Sequence, residues 1–148
     1  MKLLLLLLLF ALPSYGRDST IVITQDTDNN IAKNVVYDVV DLNKRIGKNK
    51  FTFVDNFTNY RIFISYNFQP KGNIAGEAVK YLFYCRITLY PPSYNVFKTT
   101  VWHEIGHCLG MDHEGYVGHI MSEKVKSFKE YSQEEIDTFV ENVKRRVK

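Results

Sequence analysis

The chain carries little net charge, few cysteines and few histidines, and these low counts limit the classes of function and the kinds of site that the chain can have. The formal charge of +3 falls to +2 without Lys2, which is too small to indicate nucleic acid or a membrane surface as a partner. Two cysteines allow one disulfide at most. After residue 16 there is no repeat, no low-complexity stretch and no apolar run of the about 20 residues that cross a bilayer. The composition therefore indicates one domain with a single core.

The one long apolar stretch lies at the N-terminus. A lysine precedes an apolar run over residues 3–11, and the small residues Ser14 and Gly16 follow it. This order is typical of a cleaved secretory signal peptide, and the run is too short to span a membrane. We predict a signal peptide over residues 1–16 and a secreted, extracellular domain over residues 17–148; the alternative is a retained N-terminal anchor.

Three of the four histidines fall in one eleven-residue pattern, HEIGHCLGMDH, at residues 103–113. Residues four apart lie on one face of a helix, so His103 and His107 can bind one metal ion. Gly110 can take a positive φ, which lets the chain leave the helix sharply and return His113 as a third ligand. Three nitrogens with an open fourth position indicate a catalytic zinc site, because structural sites use four protein ligands.

Two further residues belong to this candidate site. Glu104 follows the first ligand and can reach a water on the metal, so we predict that it is the general base. The segment His119-Ile120-Met121-Ser122 follows the third ligand, and this pattern followed by a Met-turn is the signature of the metzincins. We expect Met121 to form an apolar floor to the site. We expect His119 to be a loop residue rather than a ligand, because the metal already has three.

The cysteines and one sequon leave alternatives open. Cys108 lies one residue past His107, toward the core side of the predicted helix, so it either bridges to Cys85 or is a small buried hydrophobe. Asn56 begins an Asn-Phe-Thr sequon, which is either a glycosylation site in a secretory pathway or an unmodified asparagine.

The apolar periodicity predicts an α+β protein. Strands are predicted at residues 20–25, 51–54, 60–66, 77–83 and 85–90, and helices at 31–46, 95–109 and from Ser132 onward. On the second helix, Phe97, Val101 and Ile105 form one apolar face. His103 and His107 lie on the opposite side, so we expect them to face away from the core and into a cleft.

On these residues the chain resembles the metzincins, and within them the catalytic domain of the matrixins. The similarity is carried by TVWHEIGHCLGMDH at 100–113, GNIAGEAV at 72–79 and SQEEI at 132–136. Two positions depart from the matrixin pattern: Glu114 is more like astacins, whereas Glu123 replaces the tyrosine that astacins have there. The resemblance implies a twisted, mostly parallel sheet of five strands with an edge strand for substrate. The sheet would pack on an N-terminal helix and the active-site helix, before a Met-turn and a C-terminal helix.

The same resemblance implies the cofactor and the partners. His103, His107 and His113 would bind one catalytic Zn²⁺, with Met121 beneath the metal. A second zinc or a structural calcium is not expected, because the turn at residues 69–73 is short and lacks histidines. A protein or peptide substrate would bind extended along the edge strand. The chain departs from the matrixins in having no cysteine-switch prodomain between the predicted signal peptide and the domain, and we expect a monomer.

The predicted function is therefore that of a secreted zinc-dependent endopeptidase in which Glu104 acts as general base on a metal-activated water. One alternative is a secreted zinc-containing module that binds peptides without cleaving them. Another is a peptidase that trims small substrates. The sequence does not indicate the side chains that the enzyme prefers.

Overall fold

A computed structural model of the chain describes residues 21–25, 30–53, 61–69, 71–90, 97–115 and 119–147. The predicted signal peptide and the Asn56 sequon lie outside these residues. The elements follow in the order β1 Ile21–Gln25, α1 Asn30–Ile46, β2 Phe51–Phe53, β3 Ile62–Tyr66, β4 Gly76–Lys80, β5 Cys85–Leu89, α2 Phe97–Cys108 and α3 Gln133–Arg146, with a short 3₁₀ turn at Phe128–Glu130 before α3. No helix among the described residues is long and apolar enough to cross a membrane.

The five strands form one sheet in the order β2-β1-β3-β5-β4. All neighbouring pairs are parallel except β4 and β5, which run antiparallel. The fold class predicted from the sequence is confirmed: the structure is α+β, with a mostly parallel sheet and three α-helices. Among the described residues β4 pairs with β5 alone, so it forms one edge of the sheet. Its second row of backbone groups can then pair with another chain.

The first helix is held to the sheet by its apolar face and by one asparagine. Val35 and Leu42 are fully buried, as the helical spacing of apolar residues predicts. The Asn43 side chain donates to the carbonyl of Phe51 at 2.8 Å and accepts from the amides of Lys50 and Phe51 at 3.1 and 3.0 Å. These three bonds fix where the chain leaves α1 and enters β2.

The second helix is buried on nearly every side, although His103 and His107 line a cleft, as the sequence predicts. It packs against β4, β5 and α1, and every residue from Thr99 to Gly106 is buried. His103 is only 5% exposed. This extent of burial is not predictable from the sequence, because periodicity along one helix cannot show that an edge strand and the Met121 segment also pack over its polar side.

The third helix begins at the predicted cap. The Ser132 hydroxyl accepts from the amide of Glu135, and the Glu135 carboxylate accepts from the amide of Ser132, so both form a capping box. Its buried residues are Ile136, Phe139, Val140 and Val143. The rings of Phe139 and Trp102 stack with centroids 5.7 Å apart, which joins α3 to α2.

One predicted boundary is wrong. The strand predicted at residues 77–83 ends at Lys80, and residues 81–84 form the turn of the β4–β5 hairpin. The Tyr81 amide donates to the carbonyl of Tyr84 at 2.7 Å, which closes this turn. The segment misled the prediction because tyrosine, leucine and phenylalanine favour strands, and no glycine, asparagine or proline marks the turn.

Candidate metal centre and active site

The structure brings the three predicted ligands to one point. The Nε2 atoms of His103 and His107 lie 2.9 Å apart, those of His107 and His113 lie 3.1 Å apart, and those of His103 and His113 lie 3.2 Å apart. Nitrogens bound at about 2.0–2.1 Å to one tetrahedral zinc lie about 3.3 Å from each other. The triad therefore has nearly the spacing that a single zinc ion requires.

Hydrogen bonds to backbone carbonyls orient two of the rings. His103 Nδ1 donates to the carbonyl of Ile120 at 2.6 Å, and His107 Nδ1 donates to that of Met111 at 2.9 Å. A carbonyl can only accept, so in both neutral rings the proton stands on Nδ1 and the Nε2 lone pair points into the triad. Such outer hydrogen bonds are typical of metal-binding histidines.

The buried position of His103 keeps it in the form that binds metal. Burial lowers the pKa of His103 to about 4; its bond to Ile120 opposes this shift, and the neighbouring His107 and His113 add to it. The pKa of His107 is also lowered, chiefly by burial. Both rings are therefore neutral at pH 7, and no proton has to leave them before a cation binds.

The turn that returns the third ligand is built on Gly110. Its φ is +86°, a left-handed conformation that glycine adopts without strain. The Gly110 amide donates to the carbonyl of His107 at 3.0 Å and the Met111 amide to that of Gly106 at 2.9 Å, which is the Schellman arrangement at a helix C-terminus. The same turn presents the Met111 carbonyl to His107, so it positions two ligands at once.

Glu104 lies beside the triad on the same helix. It is 4% exposed, and its Oε2 has no hydrogen-bond partner among the described residues. Burial, with a smaller contribution from the charge of Glu77, raises the pKa of Glu104 to about 8. A buried carboxyl oxygen without a partner is costly. With this pKa the carboxyl group is mostly protonated at pH 7, and a cation bound beside it at the triad would favour the carboxylate, which is the form that accepts a proton.

Met121 packs directly beneath the active-site helix. It is 3% exposed, and a Cβ on Gly106 would overlap its sulfur. The Met121 carbonyl also accepts from the amide of Glu114 at 3.0 Å, which ties this segment to the residue after the third ligand. Met121 thus supplies an apolar floor, and Gly106 is the residue that lets it approach.

A cleft of about 1010 Å³ opens over the triad. Its lining comes from the edge strand β4, from α2 and the turn after it, and from residues 123–125. Its lining includes Gly76, Glu77, Ala78, Lys80, His103, Glu104, His107, Asp112, His113, Glu123, Lys124 and Val125. Glu104 and the metal-binding nitrogens are therefore accessible from the space beside the free edge of the sheet.

Two features of the cleft had no signal in the sequence. A Cβ on Gly76 would lie 2.7 Å from the side chain of Thr100 and 3.0 Å from that of Glu104, so the absence of a side chain lets β4 approach the base. Glu77 accepts from Lys71 and from the Tyr90 hydroxyl, each at 2.7 Å. Both sets of contacts join residues from different elements, which spacing along the chain does not reveal.

The structure also decides the roles left open for the two cysteines and for His119. The structure joins Cys85 and Cys108 in a disulfide with their Cα atoms 5.5 Å apart. Of the two alternatives for Cys108, the structure therefore has the bridge and not the free buried thiol. The bridge ties the end of α2 to the start of β5. His119 Nδ1 lies 3.0 Å from a carboxylate oxygen of Glu114, and His119 is not a member of the metal-binding group.

No protein-family model matches this chain, and no curated protein matches it. Among solved structures, it is similar to the crystal structure of archaemetzincin from Methanopyrus kandleri, with a TM-score of 0.57 and 14% sequence identity over 87% of this chain and 98% of that one. At that identity the likeness shows the fold alone. The chain therefore has a metzincin-like α+β fold, in which His103 and His107 lie on α2, His113 follows that helix, and all three line the cleft.

Proposed function

We propose that this protein is a zinc-dependent endopeptidase. The observation that carries the proposal is the convergence of three Nε2 atoms within 2.9–3.2 Å of one another, beside a buried glutamate. Three protein ligands are typical of catalytic zinc, and four of structural zinc. Imidazole nitrogens also suit other transition metals, and zinc is preferred here because it is the ion of the metzincin-type fold.

The roles of the chain's own residues follow from their positions. Zinc bound by His103, His107 and His113 would supply a Lewis acid that makes water acidic and polarises a peptide carbonyl. Glu104 would take the proton from the attacking water and pass it to the nitrogen of the leaving amine as the C–N bond breaks. The Ile120 and Met111 carbonyls would hold two of the rings in the required tautomer throughout.

The edge strand is the proposed binding place for substrate. An extended peptide laid along β4 would pair with its free N–H and C=O groups, which is a common mode of peptide recognition. β4 packs against α2, so the scissile bond of such a peptide would lie over Glu104. A substrate side chain would enter the cleft next to Glu123, Lys124 and Val125.

Three finer assignments remain our proposals from the sequence. Residues 1–16 are proposed to direct secretion, and the enzyme is proposed to act as a monomer. Assignment to the matrixins within the metzincins rests on three sequence segments, and the structural likeness to archaemetzincin neither extends nor tests it. One catalytic zinc suffices for the proposed activity.

The competing function is a zinc-containing module that binds peptides without cleaving them. It predicts no need for a proton acceptor beside the ligands, whereas the structure buries Glu104 with an unpartnered oxygen on the cleft. That placement costs stability and gives no contact that a structural site would use. The arrangement therefore favours hydrolysis.

The test compares wild type, Glu104→Gln and His119→Ala on a peptide library read by mass spectrometry, with zinc content measured in parallel. Glu104→Gln keeps the shape of the side chain, so we expect about one zinc per chain and a loss of cleavage of at least about a hundredfold. His119→Ala should retain both zinc and cleavage. Cuts within peptides rather than at their ends identify an endopeptidase. Full zinc loading of the wild type without cleavage of any peptide would assign the binding module instead.

A further inference from the structure

The turn of the β4–β5 hairpin, residues Tyr81–Tyr84, presents apolar side chains to solvent; we refer to it as the hairpin tip. Leu82 is 88% exposed and Phe83 is 78% exposed. The tip is closed by the hydrogen bond from the Tyr81 amide to the Tyr84 carbonyl. The rings of Tyr81 and Tyr84 also stack with centroids 4.6 Å apart. Leucine and phenylalanine are therefore held at the apex of an ordered turn.

This composition is unusual for a turn in contact with water. Hairpin turns favour glycine, asparagine and aspartate for their backbone freedom, and this tip has none of them. Single exposed apolar residues need no explanation, but a contiguous group marks an interaction surface. Val79 and Tyr81, at 46% and 48% exposure, extend the apolar surface down the hairpin.

The charges beside the tip all have one sign. A groove of about 340 Å³ runs from the hairpin tip to the end of α3, past the disulfide. Three charged side chains line it, Arg61, Lys80 and Arg146, and no carboxylate lines it among the described residues. The main cleft, by contrast, includes Glu77, Asp112 and Glu123. The small net charge of the whole chain does not reveal that these basic and acidic side chains lie on different parts of the surface.

We propose that the hairpin tip and its three cations dock on an anionic phospholipid bilayer. Leu82 and Phe83 enter the boundary between headgroups and acyl chains. The two tyrosines lie at the headgroup level, where amphipathic rings are favoured. Arg61, Lys80 and Arg146 face the lipid phosphates and the negative surface potential.

A bilayer fits this surface better than a protein does. The two most exposed side chains project from a convex apex, so a protein partner would need a socket shaped to receive them. A fluid bilayer accepts a convex apolar apex of any shape, and its anionic headgroups complement the three cations that line the groove. Overall charge gave no such indication, because it averages over acidic residues that lie elsewhere on the molecule.

The docking surface adjoins one end of the active cleft. Lys80 lines both the groove and the cleft, and its Nζ lies 3.7 Å from the place where a Cβ on Gly110 would stand. A docked molecule would therefore hold one end of its cleft at the membrane surface. The docking itself requires no peptidase activity, so it can hold or fail independently of the proposed function.

A tryptophan placed at the tip reports docking directly. In the full chain, Phe83→Trp is compared with Tyr37→Trp, which replaces another exposed aromatic residue, 71% exposed on α1. The native Trp102 is fully buried and gives both variants the same background. Vesicles of phosphatidylcholine with phosphatidylserine should shift the emission of Phe83→Trp to shorter wavelength and allow its quenching by brominated lipid. Tyr37→Trp should not respond, even if residues 1–16 bind the vesicle.

Further variants separate the apolar and the charged contributions. Leu82→Asp should weaken vesicle binding by more than about tenfold, because it removes a buried leucine from the docked state. Arg61→Glu and Arg146→Glu should each weaken it by on the order of tenfold at low salt, and less at high salt. Zinc content and cleavage of a short peptide should be unchanged in all three, which shows that they fold.

Three results would overturn the proposal. Emission of Phe83→Trp could stay unchanged with phosphatidylserine vesicles. The emission could instead shift equally with phosphatidylcholine alone and be unaffected by Arg61→Glu and by Arg146→Glu. That result would show that docking does not require anionic lipid. A dimer in lipid-free buffer that Leu82→Asp converts to a monomer would assign the hairpin tip to a second copy of the chain.

Discussion

The Nε2 atoms of His103 and His107 face each other at 2.9 Å, although neither ring has a proton to place between them. Each ring donates its Nδ1 proton to a backbone carbonyl, to Ile120 and to Met111. Two lone pairs at this distance repel unless a cation lies between them. The contact is therefore explained by two of the ligands of one metal ion. The hydrogen bonds from the two Nδ1 atoms orient the rings for that ion.

Gly106→Ala should destabilise the protein and weaken metal binding. The added Cβ would overlap the Met121 sulfur, with Phe139 also close at 3.3 Å, so either the helix or the Met121 segment must move. Overpacking of this kind costs about 1–3 kcal/mol. Urea unfolding measures the loss. Gly115→Ala is the matched control, because nothing lies within 4 Å of its added Cβ; equal losses in the two variants would contradict the proposed contact.

Gly76→Ala should affect cleavage more than metal content. Its Cβ would stand 3.0 Å from both Cγ and Oε1 of Glu104, so the edge strand or the base must shift. Displacement of a general base by about 1 Å can lower the rate by about a hundredfold. Kinetics should show a fall in kcat with about one zinc retained per chain. Unaltered kcat would show that the position of Glu104 does not depend on this close approach.

The bridge between Cys85 and Cys108 should contribute about 3 kcal/mol to the free energy of unfolding, since it closes a loop of 23 residues. Urea unfolding of wild type with and without reductant measures this difference. The double variant Cys85→Ala with Cys108→Ala is the control, because reductant should leave its midpoint unchanged. If the urea midpoint of wild type is unchanged after complete reduction of the disulfide, the bridge does not contribute to the free energy of unfolding.

The titration of Asp38 should lower the free energy of unfolding as pH rises from about 4 to about 6. Burial raises its pKa to about 6, an effect that Lys98 opposes and Asp41 reinforces. The folded state therefore holds the Asp38 proton more tightly than the unfolded chain, whose pKa is near 3.8. The stability due to this proton is fully present below pH 3.8 and is lost as pH rises through 6.

Asp38→Asn removes this titration and isolates it from the other groups. Relative to wild type, the variant should gain stability across that pH window, because it carries no buried charge at higher pH. Urea midpoints at several pH values measure the difference. If the difference between variant and wild type stays constant with pH, Asp38 titrates alike in the folded and unfolded states.

The sequence predicts the convergence of the three histidines because the geometry of this group is local. His103 and His107 are one helical turn apart, and Gly110 and Met111 complete the turn that returns His113, so spacing alone constrains the three nitrogens. The capped start of α3 at Ser132 was predictable for the same reason. Each of these features depends on residues within about ten positions of one another.

Two of the three features that the sequence does not predict depend on packing between distant elements. The burial of His103 arises because Ile120 and the edge strand close over α2, and no periodicity along α2 records that. The closeness of Gly76 to Glu104 joins residues in different elements in the same way. The hairpin tip was read as strand because its side chains favour strands, whereas its hydrogen bonding makes it a turn. Tertiary contact decides the first two, and a hydrogen bond within the turn decides the third.

X-ray absorption at the zinc edge tests the central claim most directly. Purified protein should contain about one zinc per chain, with three imidazole nitrogens at about 2.0–2.1 Å and no sulfur ligand. His107→Ala should lose the metal, whereas His119→Ala should keep it with an unchanged spectrum. A protein that binds no zinc at neutral pH, or whose zinc spectrum is unaffected by loss of His107, would contradict the account.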